Sequence, residues 1–137
     1  MYNLGQMSET TELQVLTDRI EPDITLVTMA GKIVMGPDSM GLENLVADLV
    51  RKDVKKVIFD LTRVYYLDSS GLGALAHCFV LLQRAKGGLR LAGVSERVRS
   101  LLRTTRLEAV IPCFPAVDDA RQNFTVDHQA GHTAGSS

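Results

Sequence analysis

The segment Leu67-Asp68-Ser69-Ser70-Gly71-Leu72-Gly73 carries the clearest chemical potential in this 137-residue chain. It lies a few residues after the apolar run Val57-Ile58-Phe59-Asp60-Leu61 and opens the most apolar helical stretch. A hydroxyl at a helix start sits beside unpaired backbone N–H groups and the positive end of the helix dipole. It can cap the helix, and an Asp-Ser-Ser run ahead of a helix is ordinary capping chemistry. It can also accept a phosphoryl group, which adds about −1.5 to −2 charges at that point. The residues by themselves leave both roles open for Ser69 and Ser70.

The other reactive side chains form no catalytic constellation. The two serines are not in a G-x-S-x-G elbow. His77 falls two turns further along the same helical stretch and reads as a core or surface filler. His128 and His132 have the i,i+4 spacing that could ligate a metal on a helix. Their surroundings are rich in Gly, Ser and Thr, however, and no metal site is expected. Neither G-x-G-x-x-G nor G-x-x-x-x-G-K-[ST] occurs, so there is no nucleotide fingerprint, and neither a cofactor nor catalysis is expected. Cys78 and Cys113 sit in apolar runs without C-x-x-C spacing and read as reduced core thiols, which fits a reducing, cytoplasmic compartment.

Length and composition suit one domain with its own core. The hydrophobic fraction of 45% is ordinary for a globular fold. No segment approaches the ~18 consecutive apolar residues of a membrane helix. Met1 to Leu13 carries neither a basic region nor an apolar one, so no secretory signal is read there, and the Asn123-Phe124-Thr125 sequon is taken as incidental. A net charge of −1 offers no general attraction to nucleic acid. The charge is uneven: residues 84–106 carry Arg84, Lys86, Arg90, Arg97, Arg99, Arg103 and Arg106 against Glu96 alone. Such a segment is either a solvated helix face or a surface for an acidic partner. It lacks the interleaved aromatics of a nucleic-acid binder.

The elements that position the serine pair alternate between strand and helix patterns. Leu13 to Leu16 and Ile24 to Met29 read as strands joined by Glu21-Pro22-Asp23 into a hairpin. Gly36-Pro37-Asp38-Ser39 offers a break and N-cap candidates. Behind it, Leu42, Leu45, Val46 and Leu49 mark a helical face, with Asp48 to Lys52 a favourable i,i+4 pair. Val57 to Leu61 suits a strand covered on both faces. The next helix spans about residues 70–84, with Leu72, Leu75, Ala76, Phe79 and Leu82 facing the core. Ala74, Cys78, Val80 and Leu81 make that helix apolar nearly all round, so it is either deeply buried or exposes an apolar strip. Lys86-Gly87-Gly88 ends it through a glycine cap. Leu89 to Ala92 is a strand, Ser95 caps a helix reaching Arg103, Ala109 to Ile111 is a strand ending at Pro112, and Val117 to Phe124 is a short helix. The expected class is α/β, a mixed sheet of four to five strands flanked by four helices. Residues 11–124 form the domain, between a flexible start at 1–10 and a disordered tail at 125–137.

With that order, the Asp-Ser-Ser-Gly-Leu-Gly motif and its preceding apolar strand resemble the STAS domain family, in particular its bacterial anti-sigma-factor antagonists. The resemblance covers about residues 12–124. Gly31, the Lys86-Gly87-Gly88 turn into Leu89-Arg90-Leu91, and Val98, Leu101 and Leu102 agree with it. Two positions depart. Thr105-Arg106-Leu107 replaces the family's Thr-Gly-Leu, and arginine in a left-handed cap would cost roughly 1 kcal/mol relative to glycine, so a different turn is expected. Val34-Met35 replaces more polar residues in the loop after the second strand, so that loop is expected to bind differently.

The resemblance implies that Ser70 is the phosphoacceptor, with Asp68 and Ser69 framing it and helping to seat a kinase. It implies an anti-sigma factor, often itself the serine kinase, as the partner of the unphosphorylated protein, and a phosphatase that resets it. The partner surface is expected to centre on Asp68, Ser69, Ser70, Gly71, Leu72 and Gly73, with the flank of that helix and the loop after Gly31 nearby. Glycines 71 and 73 are expected to leave room for another backbone. The protein is expected to be a monomer or weak dimer, with no nucleic-acid or membrane partner. The alternative is a STAS scaffold, or a subunit of a regulatory or lipid-transport complex, that is never phosphorylated.

Overall fold

A computed structural model describes residues 13–134, with side chains described as far as Thr125. Strands β1 (Gln14–Glu21) and β2 (Ile24–Ile33) form the hairpin. There follow α1 (Pro37–Arg51), β3 (Lys56–Leu67), α2 (Ser69–Arg84), β4 (Gly88–Ala92) and α3 (Glu96–Thr104). A 3₁₀ turn (Leu107–Ala109), β5 (Cys113–Phe114) and α4 (Val117–Ala134) complete the chain. The five strands lie in sequence order, β1 antiparallel to β2 and the rest parallel. Single helices between parallel strands produce this order, because each crossover returns the chain to the neighbouring position. The expected α/β class, with a mixed sheet and four helices, is the observed one.

The apolar run of β3 has a direct cause. Val57 and Phe59 pack with Leu75, Leu82 and Val98 on one face of the sheet. Ile58, on the other face, packs with Ala120 and Phe124 of α4. Successive strand side chains point to opposite faces, so a strand covered twice is apolar at every position. The edge strand β1 is the opposite case: Gln14 to Arg19 are exposed throughout, and Leu16 is 73% accessible.

Tertiary packing moves several expected features. Helix α2 buries Gly71, Leu72, Ala74, Leu75, Cys78 and Leu82, whereas Ala76 and Phe79 are half-buried. The small Ala74 and Cys78 suit close packing, and the Cys78 thiol lies 3.8 Å from the Leu42 carbonyl oxygen of α1. The flat apolar periodicity did not distinguish these positions from Ala76 and Phe79. The expected strand at Ala109 to Ile111 is instead the 3₁₀ turn and its exit. Ile111 N–H donates to the Leu107 carbonyl at 2.8 Å and its side chain is buried. Pairing begins only after Pro112, whose carbonyl accepts from Leu91 N–H at 2.9 Å. Asp48 pairs with Arg51 rather than Lys52.

Helix α4 continues to Ala134, past Phe124. The expected flexible start and the last three residues of the expected tail lie outside the described residues, as do the His128 and His132 side chains.

Two left-handed positions differ from expectation. The cap after α2 is taken by Lys86 at φ 65°, not by a glycine. Gly87 is needed for another reason: a Cβ there would stand 2.0 Å from the Lys55 carbonyl oxygen. Arg106 does occupy the left-handed cap, at φ 67°, so the turn keeps that conformation despite the missing glycine. At Gly31, φ is 117°, a conformation suited to glycine.

Candidate functional site

The serine pair stands where β3 hands over to α2. Asp68 has extended backbone (φ −100°, ψ −173°) and is the N-cap. Its Oδ1 accepts from Gly71 N–H at 2.8 Å. Its Oδ2 accepts from Met35 N–H at 2.9 Å, in the loop after β2. Its own N–H donates to the Ile33 carbonyl at 3.3 Å. One carboxylate therefore caps the helix and ties the neighbouring loop to it. These backbone N–H groups, first Met35 and then Gly71, stabilise the ionised form and hold the Asp68 carboxyl below its ordinary 3.8.

Capping is thus performed by Asp68, and among the described residues no hydrogen bond engages the Ser69 or Ser70 hydroxyl. Ser69 is exposed and Ser70 half-buried, in the first turn of α2. The two glycines of the motif differ. Gly71 faces inward, where a Cβ would meet the Ile33 carbonyl oxygen at 2.1 Å. Gly73 is exposed, and a Cβ there would meet nothing within 4 Å. Room for an outside backbone therefore lies at Gly73, while Gly71 admits the end of β2. Leu72 is buried at 8% exposure and anchors the turn rather than presenting a contact.

Around this turn, Met35 (73% exposed) in the tied loop and Met40 (63%) on the first turns of α1 are open apolar side chains. Val80 further along α2 is borderline exposed at 36%. Parallel pairing sets Lys32 beside Tyr66, and Tyr66 is also exposed. Sequence reasoning had placed the motif and the loop after Gly31 together. It missed the bond from Met35, because a backbone donor 33 residues away leaves no signal in the residue type.

The remaining candidates take structural roles. His77 Nδ1 lies 2.8 Å from Glu43 Oε1, joining α2 to α1 on the exposed side rather than in the core. Both cysteines are free thiols. Burial pushes the Cys78 thiol up to about 12, and burial also raises Cys113. Neither is a thiolate nucleophile at neutral pH. Part of the basic 84–106 segment is engaged internally. Arg90 is buried, its Nε donating to Asn123 Oδ1 at 2.7 Å and its guanidinium stacked 4.3 Å from the Phe124 ring centre. Arg99 and Arg103 pair with Glu108 at 2.8 and 3.4 Å. Among the described residues no group of three His, Cys, Asp or Glu could hold a metal ion, and no helix is long and apolar enough to cross a membrane.

The STAS domain model matches residues 16–120, and the chain belongs to that family. An anti-sigma factor antagonist from Mycobacterium paratuberculosis superposes with a TM-score of 0.74 at 23% identity, covering 84% of this chain and 96% of that one. The Bacillus cell fate determinant SpoIIAA, in its phosphorylated form, gives 0.65 at 14% identity over 80% and 98%. By sequence, "Putative sulfate transporter YvdB" of Bacillus subtilis is 27% identical over 114 residues, 78% of this chain. The chain spans only 21% of that protein's length.

Proposed function

We propose that this protein is an anti-sigma-factor antagonist that works as a partner switch. Unphosphorylated, it binds an anti-sigma factor and so releases a sigma factor. A serine kinase, often the anti-sigma factor itself, transfers the γ-phosphoryl group of ATP to Ser70 Oγ and releases ADP, which ends the binding. A phosphatase returns the serine by hydrolysis. The protein acts in the cytoplasm as a monomer or weak dimer, is not an enzyme, and uses neither cofactor nor nucleic acid. The observation that carries this reading is the division of labour in the first turn: Asp68 caps α2 and leaves the serine hydroxyls uncommitted. A phosphoryl group on Ser70 keeps the favourable helix N-terminus beneath it. It also places a dianion beside the Asp68 carboxylate and the exposed Gly73. A partner packed there would have to desolvate that charge, whereas the helix need not unfold. SpoIIAA keeps its overall fold similarity to this chain in its phosphorylated form, which supports a change of surface rather than of fold.

The test is incubation with the co-purified kinase and ATP, followed by intact mass and peptide mapping. One phosphate, on Ser70, is expected, and none on Ser70→Ala. Full modification of Ser70→Ala would move the assignment to Ser69. In calorimetry against the purified partner, Ser70→Asp should weaken binding by about 1–3 kcal/mol, and Ser70→Ala should bind like the unmodified protein. Equal affinity for Ser70→Asp would remove this turn from the interface.

One observation favours a second reading, a STAS module serving a transport complex: the sequence similarity to a protein named as a sulfate transporter and several times longer. Co-purification from native membranes with an unmodified Ser70 would select it.

A further inference from the structure

A cavity of about 860 Å³ lies at the other end of the sheet from Ser70. The β1–β2 turn, the loop between α1 and β3, and the loop between α2 and β4 surround it. Its cations are Arg19, Lys52, Lys55, Lys56, Lys86 and Arg90, against the carboxylates Asp23 and Asp53. Lys56 pairs with Asp23 at 2.8 Å and Lys55 with Asp53 at 3.7 Å. Among the described residues, Arg19, Lys52 and Lys86 have no carboxylate partner. A cavity with one dominant sign of charge concentrates ions of the other sign. Val54, the half-buried Phe79 and the buried Phe124 add an apolar wall, so a concave site of this volume offers a small molecule both charge and apolar surface.

The backbone is built tightly here. Gly88 N–H donates to the Lys55 carbonyl at 2.8 Å, joining the two lysine loops, and Gly87, with no Cβ, permits that approach. Asp53 and Lys86, two of the three non-glycine residues at positive φ among the described residues, both line the cavity. At Lys86 a glycine would satisfy the cap without strain, so the lysine stands where the backbone alone favours another residue. Residues held in sparsely populated conformations at a site point to a use for their side chains.

We infer that this pocket binds a small organic phosphate, its phosphoryl group held between Lys52 and Lys86 at the mouth and its apolar part against Phe79 and Val54. The occupant is an effector, since the pocket holds no acid–base or nucleophilic constellation. It is separate from the serine turn, so the inference stands whatever the fate of Ser70.

The test is NMR titration of the full chain with phenyl phosphate and, separately, with inorganic phosphate, at about 0.15 M salt where exposed charges are screened within ~8 Å. Saturable shifts of the amides of residues 52–56 and 86–88 are expected, with phenyl phosphate the tighter ligand. Lys86→Gly is the informative variant, because it relieves the left-handed strain. It should raise the unfolding temperature while weakening phenyl phosphate on the order of tenfold. Arg97→Glu, an exposed charge reversal on α3, should leave the affinity unchanged. Three results would each overturn the inference. They are the absence of saturable shifts, equal affinity for the two ligands, and a Lys86→Gly protein that binds as tightly as the original.

Discussion

Helices α1 and α2 begin side by side, after neighbouring parallel strands, yet their first turns are stabilised differently. At α1 the N-cap is Gly36, with φ 114° and ψ −146°, and no side chain caps the helix. Ser39 is buried, and its hydroxyl donates to the Gly36 carbonyl at 3.3 Å, while Asp38 accepts from Leu13 N–H at 3.4 Å. At α2 the aspartate precedes the helix and caps it, and the serines that follow keep their hydroxyls. Both starts contain an acid and a serine. The order of the residues relative to the first helical turn decides whether the hydroxyl closes a local bond or is available for chemistry.

The largest break in this comparison is expected at Gly71. Gly71→Ala sets a methyl group against the Ile33 carbonyl oxygen, two backbone segments that cannot both yield. It should destabilise the fold by at least about 3 kcal/mol in urea unfolding. Gly73→Ala, in open space two residues on, should be neutral or stabilising by up to about 1 kcal/mol. A similar loss from both would mean that the helix start does not rest on β2.

The corresponding glycine of α1 should matter less. Gly36→Ala meets no neighbouring atom, so its cost is conformational alone, about 1–3 kcal/mol by the same measurement. A cost equal to that of Gly71→Ala would show that strain and steric exclusion contribute alike.

The smallest effect is a pH dependence. The folded-state pKa of Asp68 is depressed, so its cap contributes stability that is fully present above the ordinary value of 3.8 and is lost as the pH falls through the lower folded value. Unfolding of the original protein and of Asp68→Asn, followed from neutral to acid pH, should converge in that acid window. A constant difference between them would locate the effect elsewhere.

The motif was legible because its chemistry is local. An acid, two serines and a glycine mark a helix start within four residues, as does Ser95, whose hydroxyl accepts from Val98 N–H as its type and spacing predict. The alternation of strands and helices was legible because burial imposes its period directly on the chain. Less was visible where several residues were equally apolar: α2 gave no preference between Phe79 and Cys78 until α1 lay against it.

What the sequence by itself determined is most of the elements and the place of the serine turn, which follow from short-range pattern, and the family, which follows from the resemblance of that motif in its context. Tertiary structure alone decided which motif glycine is indispensable, which loop the aspartate holds, and that Lys86 rather than Gly87 takes the left-handed cap. It also decided that the last strand starts after Pro112. Each of these depends on atoms brought together from distant positions, such as Ile33 with Gly71 or Lys55 with Gly87. A close approach between backbones is a property of the packed chain, and neither residue in such a pair reveals it until the other arrives.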